Sequence, residues 1–482
     1  MIKQVQDRLS GLFGRYIAGE AGNQRRDPGT RIQSSDALLD STKRKRVIEG
    51  ARELWRNYSV AAWAVRKHLD FVSTFTFQAS TEDPVFNERL ESLMAWWSRP
   101  INCDVAARHS LRRMIRLAEA RRVLDGDIFL LKVNGKLQGI EGDRIQNPTS
   151  QINGNGGTNW THGIRLNPGG GMSAVQIFKR HSDGRYEEEK QVLAGNCIQL
   201  AYWDSFDQVR GVSPLVSAIA EFQDSMEVKD YARAKAKITQ LFALAITREM
   251  ADSDDEEEVG SSYQIDLGRG PVKVELDPGD KMDFLESRHP STEFQAFLTI
   301  CMQAALKSLD IPWSFYDESF TNFFGSRAAL IQYLQSVKSK RADIVEILDR
   351  ITVWKILSWV AEGALVLPRG YTVDDLKWDW IPAGMPWWNP KDEIAGDVLA
   401  IQNKLRTRSE IRRERYGDDW RDVVRQLAQE EQFLEEMGMS AATTEQPPGP
   451  APSMEPEEEA DEPDDEDESN GEEDNGDDSS SS

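Results

Sequence analysis

The chain has 482 residues, of which 39% are hydrophobic and 29% charged, with a net charge of −23. No run of about 18 apolar residues occurs, which argues against a transmembrane helix. The N-terminal stretch MIKQVQDRLSGLFGRYIAG has no uninterrupted apolar core, which argues against a secretory signal. Cys103, Cys197 and Cys301 are far apart and lack metal spacing, which points to a reducing compartment. Seventeen acidic and no basic residues lie from Glu445 onward, so the first 444 residues hold 58 basic against 64 acidic side chains, a net of −6. That balance does not mark a tight nucleic-acid binder, although a wall past which DNA must slide has no need to grip phosphates.

Residues 1–45 are polar and basic with Gly and Pro, and read as an arm. Ser41–Phe77 has the apolar spacing of one helix through Leu54, Tyr58, Ala61, Ala62, Val65 and Leu69. Asn87–Trp97 and the Arg-rich Val105–Val123 read as two more helices. The period then changes. Asp127–Asn134, Leu137–Ile140, Ala174–Arg180 and Val192–Leu200 read as strands, separated by Gly-rich turns at Asn153–Gly157 and Pro168–Gly171. Ser213 and Pro214 open a helix that runs to about Gln240, because serine caps free N–H groups and proline gives up a donor that had no partner. Strand-like pieces at Phe242–Thr247 and Val272–Leu276 flank the acidic loop Asp252–Glu258. Ser291–Asp310 is helical, and Gly325–Leu365 is a very long helix expected to bend near Ser339–Ala342. An irregular Trp-rich stretch, Trp378–Pro390, precedes two helices, Pro390–Asn403 and about Ser409–Met437. The acidic remainder is too charged and too poor in apolar residues to fold.

No HExxH, GxxxxGK[ST] or GxSxG motif occurs, and the five histidines, His68, His109, His162, His181 and His289, are isolated in sequence. Asp252–Glu258 lacks the glycine and alternating spacing of a calcium loop. These observations predict no catalytic residues, no metal site and no cofactor. If an enzyme were hidden here, its metal ligands would be sought at Asp125, Asp127 and Asp143.

Several motifs occur in a telling order: GIEGDRIQNP (Gly139–Pro148), RGVSPL (Arg210–Leu215), the stretch Arg288–Leu330 containing IPWSFYDESFTNFFGSR, and LRTRSEIRRERYGDDWRDVVRQLAQE (Leu405–Glu430). Together with the RD-P element at Arg26–Pro28, this series resembles the phage-lambda type of tailed-bacteriophage portal proteins over roughly residues 25–430. Asn322, Ser326 and Arg327 fall on the family's marks. The sequence departs from the family at QLAYWDSFD (Gln199–Asp207), where a histidine is common, and at Arg406, where a glycine is common.

The resemblance implies an α+β, mainly α, portal fold with a β-rich wing, stem helices, a small α/β clip, a helical crown and a disordered acidic C-terminal tail. Carried over in order, 1–45 is the N-terminal arm, 46–212 and 326–385 the wing, 213–240 and 291–310 the stem, and 241–290 the clip. The tunnel loop is 311–325, the crown 386–440 and the acidic tail 441–482. The implied assembly is a ring, commonly of twelve subunits, at one capsid vertex. It would pass double-stranded DNA non-specifically and contact terminase large subunit, major capsid and scaffold proteins and a head-completion adaptor, with no membrane. Its place would be the virion, and the host cytoplasm during assembly. The implied DNA-channel residues are Trp313, Phe315, Tyr316, Phe320, Asn322, Phe323 and Phe324, with Lys229, Arg233, Lys235 and Lys237 near the channel. The same rings could instead plug a joint between helices, and the same cations could simply suit a helix C-terminus. A structural adaptor, a gene-transfer-particle portal and, more distantly, a DNA-processing enzyme stand as alternatives.

Overall fold

The computed structural model describes residues 34–149, 160–241, 244–248, 280–284, 292–317, 323–385 and 389–438. The acidic loop 252–258, the strand expected at 272–276 and the acidic tail lie outside them. The chain divides into two units, residues 1–420 and 421–482. No helix among the described residues is long and apolar enough to cross a membrane.

The N-terminal helical layer starts at α1 (Ser41–Asn57), where the Asp40 carboxylate accepts from the Thr42 and Lys43 N–H groups. Tyr58 is extended and separates α1 from α2 (Ser59–Val72). The Ser41–Phe77 segment is thus two helices and a strand rather than one helix. Tyr58 leaves the helical path because its buried ring packs on Phe222, with centroids 5.9 Å apart. The apolar residues after Val72 form β1 (Phe75–Ala79), which pairs antiparallel with β11 (Trp378–Pro382), Phe75 opposite Pro382. The first five residues of the Trp-rich stretch read as irregular are therefore a strand.

Helix α3 (Pro84–Trp97) begins three residues before its predicted start, on an Asp83 cap and a proline at the first helical position. It buries Phe86, Leu90, Met94 and Trp97 along one stripe. Residues 104–109 wrap around the Asp104 carboxylate, which accepts from the N–H groups of Ala106, Arg108 and His109. Helix α4 (Leu111–Asp125) therefore starts later than Val105, capped by Ser110.

Two sheets follow. In the first, β2 (Asp127–Val133) lies between β3 (Lys136–Glu141) and β8 (Cys197–Ala201), and its run of buried residues fits a central strand. The second is the meander β4 (Trp160–Thr161), β5 (Ile164–Leu166), β6 (Met172–Arg180) and β7 (Tyr186–Leu193). Its edge strand β7 reads YEEEKQVL and is largely exposed, a charged edge that discourages further pairing. The predicted single strand Val192–Leu200 is split by a turn of 3-10 helix at Ala194–Asn196, so its two ends belong to different sheets. Phe129, Leu131, Ile140, Ile164, Val175 and Ile177 form the core of this β-rich module.

Helix α5 (Val216–Leu241) packs against α6 (Thr292–Lys307). Between them in sequence, β9 (Leu244–Arg248) pairs antiparallel with β10 (Asp280–Phe284). The 39-residue α7 (Phe323–Ala361) spans about 58 Å at about 1.5 Å per residue. It is unbroken at 339–342, where a bend was expected. The polar residues there face the ends of two other helices: Lys340 donates to the Leu309 carbonyl and Arg341 to the Phe71 carbonyl. Cations satisfy orphan carbonyls of helix C-termini, so the polar residues at this point act as caps for two other elements. The buried residues of α7, including Val337, Ile344, Leu348 and Ile351, join α2, α3 and α4 in the largest core cluster.

Helices α8 (Pro390–Gln402) and α9 (Arg408–Arg415) follow β11. The helix predicted over Ser409–Met437 is two helices, because Gly417 is left-handed (φ +70°) and its neighbours turn. In the second unit, α10 (Trp420–Glu436) presents Val424, Leu427 and Phe433 to solvent.

Candidate channel loop and the joint that carries it

The segment Arg210–Leu215 fastens the β-rich module to the long helices. Arg210 is fully buried, and all five of its N–H donors are used. Nε and Nη2 reach the two oxygens of Asp127 at 2.5 and 2.8 Å. The rest reach the carbonyls of Gly142 (2.7 Å), His162 (2.7 Å) and Ile145 (3.1 Å). The next residue, Gly211, lies against Gly126 so closely that a Cβ on Gly211 would stand 2.1 Å from the Gly126 oxygen. Gly126 itself has φ +92°, a conformation only glycine adopts freely. The Gly211 carbonyl accepts from Arg44 Nη1 at 2.7 Å. Burial, with the Arg210 guanidinium beside it, lowers the Arg44 pKa to about 10. Ser213 Oγ donates to the Val123 carbonyl at 2.6 Å and accepts from the Leu215 N–H at 3.1 Å. Ser213 thus caps the turn that leads into α5, and the helix begins at Val216 rather than at Pro214.

A second polar knot holds α1 to the sheets. Asp125, Glu141 and Asp143 have ligand atoms within 4.8 Å of one another. The Arg52 guanidinium bonds all three, at 2.6, 3.3 and 2.7 Å. Arg180 donates to Glu141 and Asp143, and the Tyr186 hydroxyl donates to Asp143 at 2.6 Å. Burial alone would raise the Asp143 pKa, but Arg52 and Tyr186 overcome it and hold it below the usual carboxylate range. Burial dominates at Asp125 and raises it. The three acids named above as the best candidate ligands of a hidden enzyme, Asp125, Asp127 and Asp143, are each engaged by an arginine in the described structure.

A third knot lies where α2, α4 and α7 meet. His68 Nε2 is 2.7 Å from Glu119 Oε1, and both side chains are fully buried. Arg122 bonds Glu119 at 2.7 Å and Asp343 of α7 at 2.7 Å, and stacks its guanidinium on Tyr202 at 4.1 Å. Burial lowers the His68 pKa, against the pull of Glu119.

The aromatic segment leaves α6 through Asp310, a left-handed residue (φ 61°) held by Lys340 and the Ser336 hydroxyl. Phe315 stacks on Phe71 (5.9 Å) and meets Tyr333 edge-on (5.4 Å). Trp313 is half-buried against the core and 5.0 Å from Tyr316, which in turn meets Trp63 at 5.6 Å. Tyr316 is exposed. An open cavity of about 720 Å³ lies beside this segment, between α6 and the start of α7. Phe320 and Asn322 lie outside the described residues, and Phe323 and Phe324 open α7 with side chains outside them.

Of the four cations near the end of α5, Lys229 is half-buried, with its pKa lowered by burial. Arg233 is exposed and pairs with Asp230 at 3.3 Å. The side chains of Lys235 and Lys237 lie outside the described residues.

RGVSPL and GIEGDRIQNP stand out in the sequence as motifs, but not the pairing of Arg210 with Asp127 or of Arg52 with Asp143. The available signal was an arginine in an otherwise apolar run between a strand and a helix, since a buried guanidinium needs a buried carboxylate.

Comparison with known proteins bears on this arrangement. The profile of the phage portal protein, lambda family, matches residues 22–341. A probable portal protein of Halomonas phage phiHAP-1 is 21% identical over 375 residues, 71% of this chain and 70% of that one. Among solved structures, similarity extends to a chain of the neck of an empty gene transfer agent particle. It is 13% identical, covers 75% of this chain and 92% of that one, and has a TM-score of 0.43. A chain of the native gene transfer agent virion gives 14%, 76%, 92% and 0.43. The match of the family profile over well above half its length means that this chain belongs to the lambda family of phage portal proteins.

Proposed function

We propose that this portal protein assembles head to tail into a closed ring, commonly of twelve copies in its family, at one vertex of a capsid. Double-stranded DNA passes through the ring during packaging and ejection. The observation that carries the reading is the family match over residues 22–341, joined to the element order inside it. A helix leads out of the β-rich module, a paired-strand insert follows, and a second helix packs back on the first. We assign residues 46–212 and 326–385 to the wing, 213–240 and 291–310 to the stem, and 241–290 to a clip that docks terminase large subunit and later a head-completion adaptor. Residues 386–440 form the crown, 1–45 an arm and 441–482 an acidic tail. Scaffold and major capsid protein surround the wing.

Within this reading the loop 311–325 divides. Trp313 and Phe315 anchor it to α2 and α7, and the DNA-facing part is Tyr316 with Phe320, Asn322, Phe323 and Phe324. Lys229, Arg233, Lys235 and Lys237 lie toward the channel and contribute a weak, salt-dependent attraction without sequence readout. Catalysis has no part in it, so the packaging ATPase is a separate protein.

Electron microscopy with mass determination on the purified chain tests the proposal. Rings of about twelve copies with a hole wide enough for a duplex are expected. A chain that stays monomeric or dimeric with scaffold present defeats it.

A further inference from the structure

The loop between β8 and the Arg210 joint, Tyr202–Val209, carries two outward aromatics. Phe206 is completely exposed and Trp203 is 51% exposed. Their loop is held stiff from beneath. Gln208, buried, accepts from the Asp204 and Ser205 N–H groups and donates to the carbonyls of Tyr202 and Arg210. Ser205 Oγ donates to Asp207 at 2.9 Å. Large exposed aromatics are expensive in water, and a rigid loop that displays one has already lost the entropy that binding would otherwise cost. Asp204 and Asp207 flank the ring and are exposed.

A receptor of matching character exists on the same chain. A mostly apolar cavity of about 220 Å³ opens among Phe75, Phe77, Met94, Leu111, Ile115 and Trp380, lined also by exposed Arg112 and by half-buried Glu91, whose carboxylate accepts from the Ala79 N–H. A cavity of roughly 150 Å³ takes up a benzene ring, so a phenylalanine fits. Knob and hole sit at opposite ends of one helix. The loop joins the C-terminal end of α4, where the Tyr202 N–H bonds the Gly126 carbonyl, and the cavity is lined by Leu111 and Ile115 near its N-terminus. Fifteen residues of α4 separate them by about 20 Å. A knob cannot reach the hole of its own chain from there. Between copies, a patch that complements a pocket elsewhere on the molecule makes a heterologous contact, which repeats from copy to copy and closes into a ring when the rotation allows.

We propose that Phe206 of one copy seats in the apolar cavity of the next copy, with Trp203 against its rim and Asp204 facing Arg112. This deepens the ring reading above and rests on it. It names the subunit contact that gives the ring its direction, built from the loop where the sequence departs from its family.

Ring formation by wild type and variants, followed by mass photometry across a concentration series, tests it. Phe206→Ala should weaken subunit association about thirtyfold, the size of an aromatic hot-spot contact, with an unchanged melting temperature because the ring touches nothing in the monomer. Asp204→Arg should weaken it too, and Arg112→Asp added to Asp204→Arg should restore it. Wild-type association in Phe206→Ala overturns the proposal and leaves the portal reading intact. Weakening without rescue by the charge swap overturns the cavity as the seat. Normal rings that no longer bind a head-completion protein make the knob a docking point for another chain, and also overturn it. Failure of the wild type to form rings with scaffold defeats both readings.

Discussion

At the scale of single residues, a small set of buried charged side chains fixes the joints between elements. Arg210 has a carboxylate and three carbonyls around it, so removing it strands Asp127 in the core. Arg210→Met is expected to cost about 3–5 kcal/mol in urea unfolding. Arg210→Lys recovers little of that, since an ammonium cannot replace a five-donor fork. His68 gives a second prediction. Its folded pKa lies below its unfolded value because burial disfavours the imidazolium, more than Glu119 favours it. Above about pH 6.5 both states are neutral and the full stability is present. As pH falls through that value the unfolded chain takes a proton that the folded chain resists, so stability declines toward the folded pKa. His162, also lowered by burial, contributes with the same sign. Thermal melts between pH 7 and pH 5 should fall more steeply for the wild type than for His68→Gln. An equal slope would remove His68 from the account. None of this was visible in a sequence where the histidines looked isolated, because His68 and Glu119 are 51 positions apart and meet only through the packing of α2 on α4.

At the scale of elements, legibility followed locality. Helices with a regular apolar stripe, such as α3 and α6, were readable to within a few residues. The failures came where a distant partner decided the outcome. Phe75–Ala79 became a strand because Trp378–Pro382 pairs with it, and Ala194–Asn196 split a strand because each end joins a different sheet. Of the candidate channel residues, the sequence located the aromatic run but not its division between Phe315, packed on Phe71 and Tyr333, and the exposed Tyr316. Two glycines allow an element-scale test. Gly211→Ala drives a methyl into the Gly126 backbone and should cost about 1–3 kcal/mol. Gly396→Ala, exposed in α8 with open space around it, should stabilise by about 0.5–1 kcal/mol. Chemical denaturation of the two variants side by side checks both signs.

At the scale of the whole molecule, charge is divided unevenly along the chain. Truncation after Thr444 removes 17 acidic residues and takes the net charge from −23 to −6. If copies gather in a ring, their tails repel one another, so the truncated chain should assemble at lower protein concentration than the full chain in dilute buffer. The gap should close toward 1 M salt, where the screening length is about 3 Å. Sedimentation at two ionic strengths reads this directly, and a gap that persists in high salt would assign the tail some other role. The pairing of Phe75 with Pro382 also has a consequence in time rather than space. A ribosome that adds about 5–20 residues per second delivers β11 roughly 15–60 s after β1. Throughout that interval a strand with two phenylalanines and an unpaired edge waits for its mate. Where many copies are made at once, the nascent chain is at its most aggregation-prone in that window, and a chaperone that shields Phe75–Ala79 would raise the yield of folded protein without touching the finished molecule.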